Sequence, residues 1–125
     1  MNDGAEIIAS RLQNKEFVFP VGVSVAKTNS PDTVEIDAGI ADYIKAHRLT
    51  LNIGSYTTIN ISCPNAYGGQ PFTDSVSLEQ LLTAFDKIST DKPIFIKLSP
   101  DIAEGQLDSL LEVISHHKIA GIICT

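Results

Sequence analysis

Apolar residues along this chain follow two alternating rhythms. Four short runs rich in β-branched and aromatic residues read as strands: residues 16–25 (EFVFPVGVSV), 57–62 (TTINIS), 93–99 (PIFIKLS) and 120–125 (AGIICT). Their nearly unbroken apolar character is that of strands covered on both faces. Between them the apolar positions recur at helical spacing. Ile36, Ile40, Tyr43 and Ile44 make one stripe, Leu78, Leu81, Leu82 and Phe85 a second, and Leu107, Leu110, Leu111 and Ile114 a third, which predicts three amphipathic helices. Ser77 with Gln80, and Asp101 with Glu104, have the spacing of helix-start capping pairs. Strands alternating with helices predict an α/β fold with parallel strands and crossover helices, either a TIM-type (β/α)8 barrel or a doubly wound sheet. No repeat, low-complexity tract or linker divides the chain, so residues 1–125 read as one domain.

Composition changes this picture little, but it removes some functions. The apolar fraction of 43% and charged fraction of 19% are those of a globular protein. A net charge of −6 without a Lys/Arg cluster argues against nucleic acid as a partner, because phosphates need a basic face. No apolar run is long enough to span a bilayer, and the first residues lack the form of a signal peptide. Cys63 and Cys124 have no metal-ligand spacing, so each is a single thiol and no metal is expected. Cys124, between Ile123 and the chain end, is expected in the core. His116 and His117 close a helix, where histidine suits the dipole, and are expected to be structural.

Candidate chemistry gathers where the strands end: Ser24, the segment Asn60 to Cys63, Lys97 with Ser99, and Thr125. Carboxyl ends of parallel strands are where α/β folds bind ligands. Period-two geometry puts Asn60 and Ser62 on one face of their strand, and Phe95, Lys97 and Ser99 on one face of the next; Ser62 is expected to support the backbone rather than to catalyse. A lysine in an apolar strand is costly unless it meets an anion, a polar ligand or a wet cleft, or snorkels out of the strand end. A complete barrel needs roughly 250 residues. Four βα units are about half of one, and the expectation is a partial barrel, truncated at both ends.

The ordered motifs NDGAE, PVGVSVAKTN, INISCPN, PIFIKLSPDI and IAGIICT resemble the dihydroorotate dehydrogenase family, flavoproteins of pyrimidine synthesis built on an FMN-containing (β/α)8 barrel. The resemblance spans nearly the whole chain. It implies Cys63 as the catalytic base, Asn60 and Asn65 as substrate-binding residues, and Lys97 and Thr125 as FMN contacts. Ser24 falls where quinone-linked relatives usually have a flavin-touching asparagine. The segment AYGGQPF (66–72) corresponds to a loop that covers substrate, and its Gly68 and Gly69 suit either a mobile lid or a simple turn.

The activity implied for the full-length protein is FMN-dependent oxidation of dihydroorotate to orotate in de novo pyrimidine biosynthesis, the fragment itself being inactive. Cysteine in SCPN is the base of soluble members that use fumarate or NAD, whereas the flanking motifs are similar to those of quinone-linked members. Quinone, fumarate and NAD all stay open as electron acceptors. So do a homodimer, and a cytoplasmic location or peripheral membrane association through a missing N-terminal region. Two other readings compete: a pyrimidine-reducing flavin domain similar to dihydropyrimidine dehydrogenase, and an inactive ligand-binding barrel.

Overall fold

The computed structural model describes residues 3–63 and 67–124, so the expectations for Asn65 and Thr125 lie outside the described residues. Helix α1 (Ala5–Leu12) leads into β1 (Gly22–Ala26), α2 (Ile36–Thr50), β2 (Tyr56–Asn60), α3 (Ser75–Asp86), β3 (Ile94–Lys97), α4 (Glu104–Ser115) and β4 (Gly121–Ile123). The four strands are all parallel and lie in the order β1-β2-β3-β4. Each neighbouring pair is joined through one helix. A doubly wound sheet reverses its strand order at a switch point, and no reversal occurs here, so the topology is that of consecutive barrel units.

The first strand is shorter than its apolar run. Val18 is fully exposed at 102% and Phe19 is 70% exposed. Pairing begins only at Gly22 opposite Tyr56, and the Ser55 amide bonding to the Val21 carbonyl at 2.7 Å is the last link upstream. Before Tyr56 the neighbouring chain is a turn, and Pro20 has no amide to offer. Residues 16–21 therefore have no ladder to join.

All three striped segments are helices, with starts that differ from the sequence expectation. At α3 the cap is Asp74, whose carboxylate accepts from the Ser77 amide at 3.0 Å, so Ser77 lies inside the helix. At α4 the cap is Ala103, with no side-chain cap bond. Asp101 instead donates its own amide to Ser99 Oγ.

The core lies between the helices and one sheet face. Ile59, Ile96, Leu78, Leu81, Leu82 and Leu110 are completely buried, each worth about 1.5–3 kcal/mol of apolar transfer. The other sheet face is layered by the register. Ser24, Thr58, Phe95 and Gly121 form one row, and Ala26, Asn60, Lys97 and Ile123 form the next row toward the carboxyl ends. Gly22 is required below them, since a Cβ there would stand 2.0 Å from the Tyr56 ring. Strand β4 is covered on one side only. Cys124 is accordingly exposed rather than in the core, because β3 pairs with β4 on one edge and no further described strand pairs on the other.

Candidate functional site

Two of the expected site residues, Asn60 and Lys97, meet at the carboxyl end of the sheet. Asn60 and Lys97 are direct register partners, so their side chains leave neighbouring strands on the same face. Just past β2, Ser62 joins them. The Lys97 ammonium donates to Ser62 Oγ at 2.8 Å, and Ser62 Oγ donates to Asn60 Oδ1 at 2.6 Å. The Ser62 amide also donates to Asn60 Oδ1, at 3.0 Å. A backbone N–H can only donate, and this fixes which end of the Asn60 amide is the oxygen. Its NH2 group makes no hydrogen bond among the described residues. Ser62, expected as backbone support, is the bridge of this chain.

Ser24 shares the face but not the row. It lies two residues below the Asn60–Lys97 level, about 6–7 Å along the strand, because β1 continues to Ala26. Ser24 is exposed and reaches the open face one layer down, not at the strand end.

Cys63 is exposed and has no partner thiol. It makes no hydrogen bond to Asn60 or Lys97 among the described contacts. Its side faces a cavity of about 10 Å³ that is also lined by Lys27, Tyr43, Ile61, Gln70 and Phe72. That is room for about one water. The Tyr43 hydroxyl donates to the Asn60 carbonyl at 2.8 Å. Burial pushes its pKa far above the ordinary tyrosine value; the Lys27 amide opposes this, and Cys63 and Asp42 push it further up. The hydroxyl therefore stays protonated and holds the end of β2 against α2.

Lys27 escaped the sequence reading. It is 8% exposed, and its ammonium donates to the Tyr67 carbonyl at 2.8 Å and to Thr33 Oγ1 at 3.3 Å. The available signal was a charged residue directly after an apolar strand. Residues 67–72, the described part of the segment expected to cover substrate, are anchored at Tyr67 and Phe72. Phe72 is 2% exposed in the core, and Gly68 and Gly69 adopt φ of +76° and +72°, conformations that suit glycine in a turn.

A cavity of about 320 Å³ lies at the amino-terminal ends of β3 and β4, far from this chemistry. Its two lysines are engaged, Lys92 on the Ile53 carbonyl and Lys118 on the Asp86 carbonyl. No convergent reactive set forms there among the described residues.

Comparison with known proteins gives a consistent result. The family model for dihydroorotate dehydrogenase matches residues 1–125. A protein of Trichodesmium erythraeum named dihydroorotate dehydrogenase (quinone) is 33% identical over 99% of this chain and 33% of its own length. Relatives of the same name from Haloarcula marismortui and Mycolicibacterium smegmatis are 32% and 31% identical, with 34% of each covered. The chain thus spans about a third of the length of these curated relatives. A crystal structure of a ligand-free dihydroorotate dehydrogenase from Eimeria tenella superposes with a TM-score of 0.71 at 20% identity, over 95% of this chain and 38% of that one. That likeness shows the barrel fold. The sheet of consecutive parallel units, with its polar side chains at the carboxyl ends, therefore has its place in a known group: this chain belongs to the dihydroorotate dehydrogenase family.

Proposed function

We propose that the protein containing this chain oxidises dihydroorotate to orotate with FMN, and that Cys63 is the base. The observation that carries this reading is the chain of hydrogen bonds from Lys97 through Ser62 to Asn60, which leaves an amide NH2 and a cation on the open sheet face beside the Cys63 loop. The residues present fit a flavin. Lys97 keeps ammonium protons beyond the one given to Ser62, which suits an acceptor-rich ring edge that gains negative charge. FMN, when bound, supplies the hydride acceptor.

The chain's own residues do the rest. Cys63 takes the C5 proton of the substrate, a task for which a sulfur base is chemically competent. Asn60 orients the planar pyrimidine by donating to a carbonyl, and Asn65 is assigned to the same binding task. Thr125 and Ser24 are assigned to the flavin side. Tyr43 keeps the β2 end in place while the proton moves. Quinone is the preferred acceptor, since the relatives at 31–33% identity carry that name. Cys63, where serine is the quinone-linked rule, is the residue that departs from it. No helix among the described residues is long and apolar enough to cross a membrane.

The test is Cys63→Ala in the full-length protein. FMN content and orotate binding are expected to hold while flavin reduction by dihydroorotate slows by about two to four powers of ten, the range for losing a positioned general base. Cys63→Ser is expected to restore part of the rate. Stopped-flow reduction measures both, and an alanine variant as fast as the parent would remove Cys63 from the chemistry.

A further inference from the structure

Two described residues near the thiol are held, Ser62 directly before Cys63 and Tyr67 further along the chain. On the near side, Ser62 is fixed by Asn60 and Lys97. On the far side, the Tyr67 backbone is gripped at both its N–H and its C=O. Its amide donates to Asn29 Oδ1 at 2.8 Å, and its carbonyl accepts from the buried Lys27 ammonium at 2.8 Å. Both gripping side chains come from the segment between β1 and α2.

That segment is itself braced. Thr28 donates from its amide and hydroxyl to Asp42 of α2, at 2.6 and 2.9 Å. Thr33 Oγ1 accepts from Lys27 and lies 2.7 Å from the Thr28 carbonyl and 3.0 Å from the Ser30 carbonyl. Val34 packs against the loop as well, since a Cβ on Gly68 would come within 3.2 Å of it. A buried ammonium that loses its carbonyl partner is costly. Release of Tyr67 would leave Lys27 with Thr33 and whatever water could enter, so the resting state of the loop is the clasped one.

We propose that Lys27 and Asn29 are positioning residues for Cys63: they clasp the Tyr67 backbone at its N–H and C=O, and Lys27 also lines the small cavity that Cys63 faces, so the surroundings of the thiol are not set by the end of β2 alone. The inference rests on the reading of Cys63 as base, because a clasp matters for turnover only if the loop carries a reacting group. It extends that reading to two residues outside the strand-end row. Neither needs to touch the substrate.

The experiment uses full-length holoenzyme. Tyr67 is 55% exposed, so chymotrypsin cleavage after it reports how often the loop is released, whether or not the enzyme turns over. Asn29 is exposed and Asn29→Ala is expected to fold. One hydrogen bond of about 1 kcal/mol corresponds to roughly a fivefold change in the released population. Cleavage is therefore expected to rise about fivefold in Asn29→Ala and by more in Lys27→Met. Asn29→Asp keeps an oxygen acceptor for the Tyr67 amide and is expected to restore protection. In stopped flow, the flavin reduction rate at saturating dihydroorotate is expected to fall in the alanine and methionine variants with FMN content unchanged, and to recover in Asn29→Asp.

Unchanged cleavage in both Asn29→Ala and Lys27→Met would overturn the clasp. Faster cleavage with an unchanged saturating rate would overturn its positioning role. If the parent enzyme itself fails to reduce flavin with dihydroorotate, the functional reading falls, and the clasp stands or falls on cleavage alone.

Discussion

Asn60 does two jobs with one side chain, and the division is visible atom by atom. Its oxygen is spent on Ser62, amide and hydroxyl both, and its nitrogen is the group that the proposed function gives to substrate. Lys97 completes the arrangement from the next strand. That Asn60, Lys97 and Cys63 stand at strand ends was legible in the sequence because their positions are local facts: an amide and a lysine inside apolar strands, a thiol at a strand exit. Lys27 was not legible, because its partner Tyr67 lies 40 residues away and nothing local announces that contact. Ser62 was read as backbone support for the same reason, its cation being 35 residues off. Lys97→Met in the full-length protein keeps the stem that packs in the strand and removes the charge. FMN content after gel filtration is expected to fall by about tenfold or more, in line with about 1.5–3 kcal/mol for a hydrogen bond to a charged group. Unchanged FMN content and an unchanged reduction rate would make Lys97 a brace for Ser62 and nothing more.

At the scale of elements, periodicity identified three helices and the cores of four strands, while their ends were decided by partners. Residues 16–21 carry a strand's composition without a strand to pair with, so Val18 and Phe19 stand in the open. Capping pairs misled in the same way. Ser77 and Gln80 have the right spacing, yet Asp74 precedes them and its carboxylate reaches the Ser77 amide first, at 3.0 Å. Asp74 also satisfies the helix electrostatically, since a carboxylate at the N-terminus meets the positive end of the dipole. Asp74→Ala is therefore expected to cost about 1 kcal/mol, seen as a lower denaturant midpoint with an unchanged slope. Ser77→Ala is expected to have a much smaller effect, because its hydroxyl adds only a 3.3 Å contact to the same carboxylate. Equal losses for the two would mean that the sequence-derived cap is the real one.

For the molecule as a whole, two histidines at helix ends set opposite pH dependences of stability. The His47 ring is 1% exposed, rests on Phe85 at 4.8 Å between centroids, and neither of its nitrogens finds a partner among the described residues. Burial, helped by the charge of Lys92, holds its pKa below the ordinary 6.5. The unfolded chain then takes up a proton that the folded chain refuses, so stability is lost as pH falls through about 6.5 and below. His117 behaves in the reverse sense. Burial disfavours its charge, but Asp86 at 2.8 Å and Glu79 at 3.1 Å outweigh it and raise the pKa. Its contribution is fully present below the unfolded value and is lost as pH rises through the raised one. Glu79 is half exposed and its contact is not aligned as a hydrogen bond, so Asp86 carries most of the effect. Denaturant unfolding of the full-length protein at pH 5.5 and pH 8 separates the two. His47→Leu is expected to flatten the acid-side loss while leaving the alkaline side alone, and to be neutral or stabilising at pH 5.5, since it removes a buried polar group without partners. His117→Asn is expected to lose more stability at pH 5.5 than at pH 8. An acid-side slope that survives His47→Leu would assign that dependence to other groups, and a pH-independent loss in His117→Asn would make the Asp86 contact a neutral hydrogen bond instead of an ion pair.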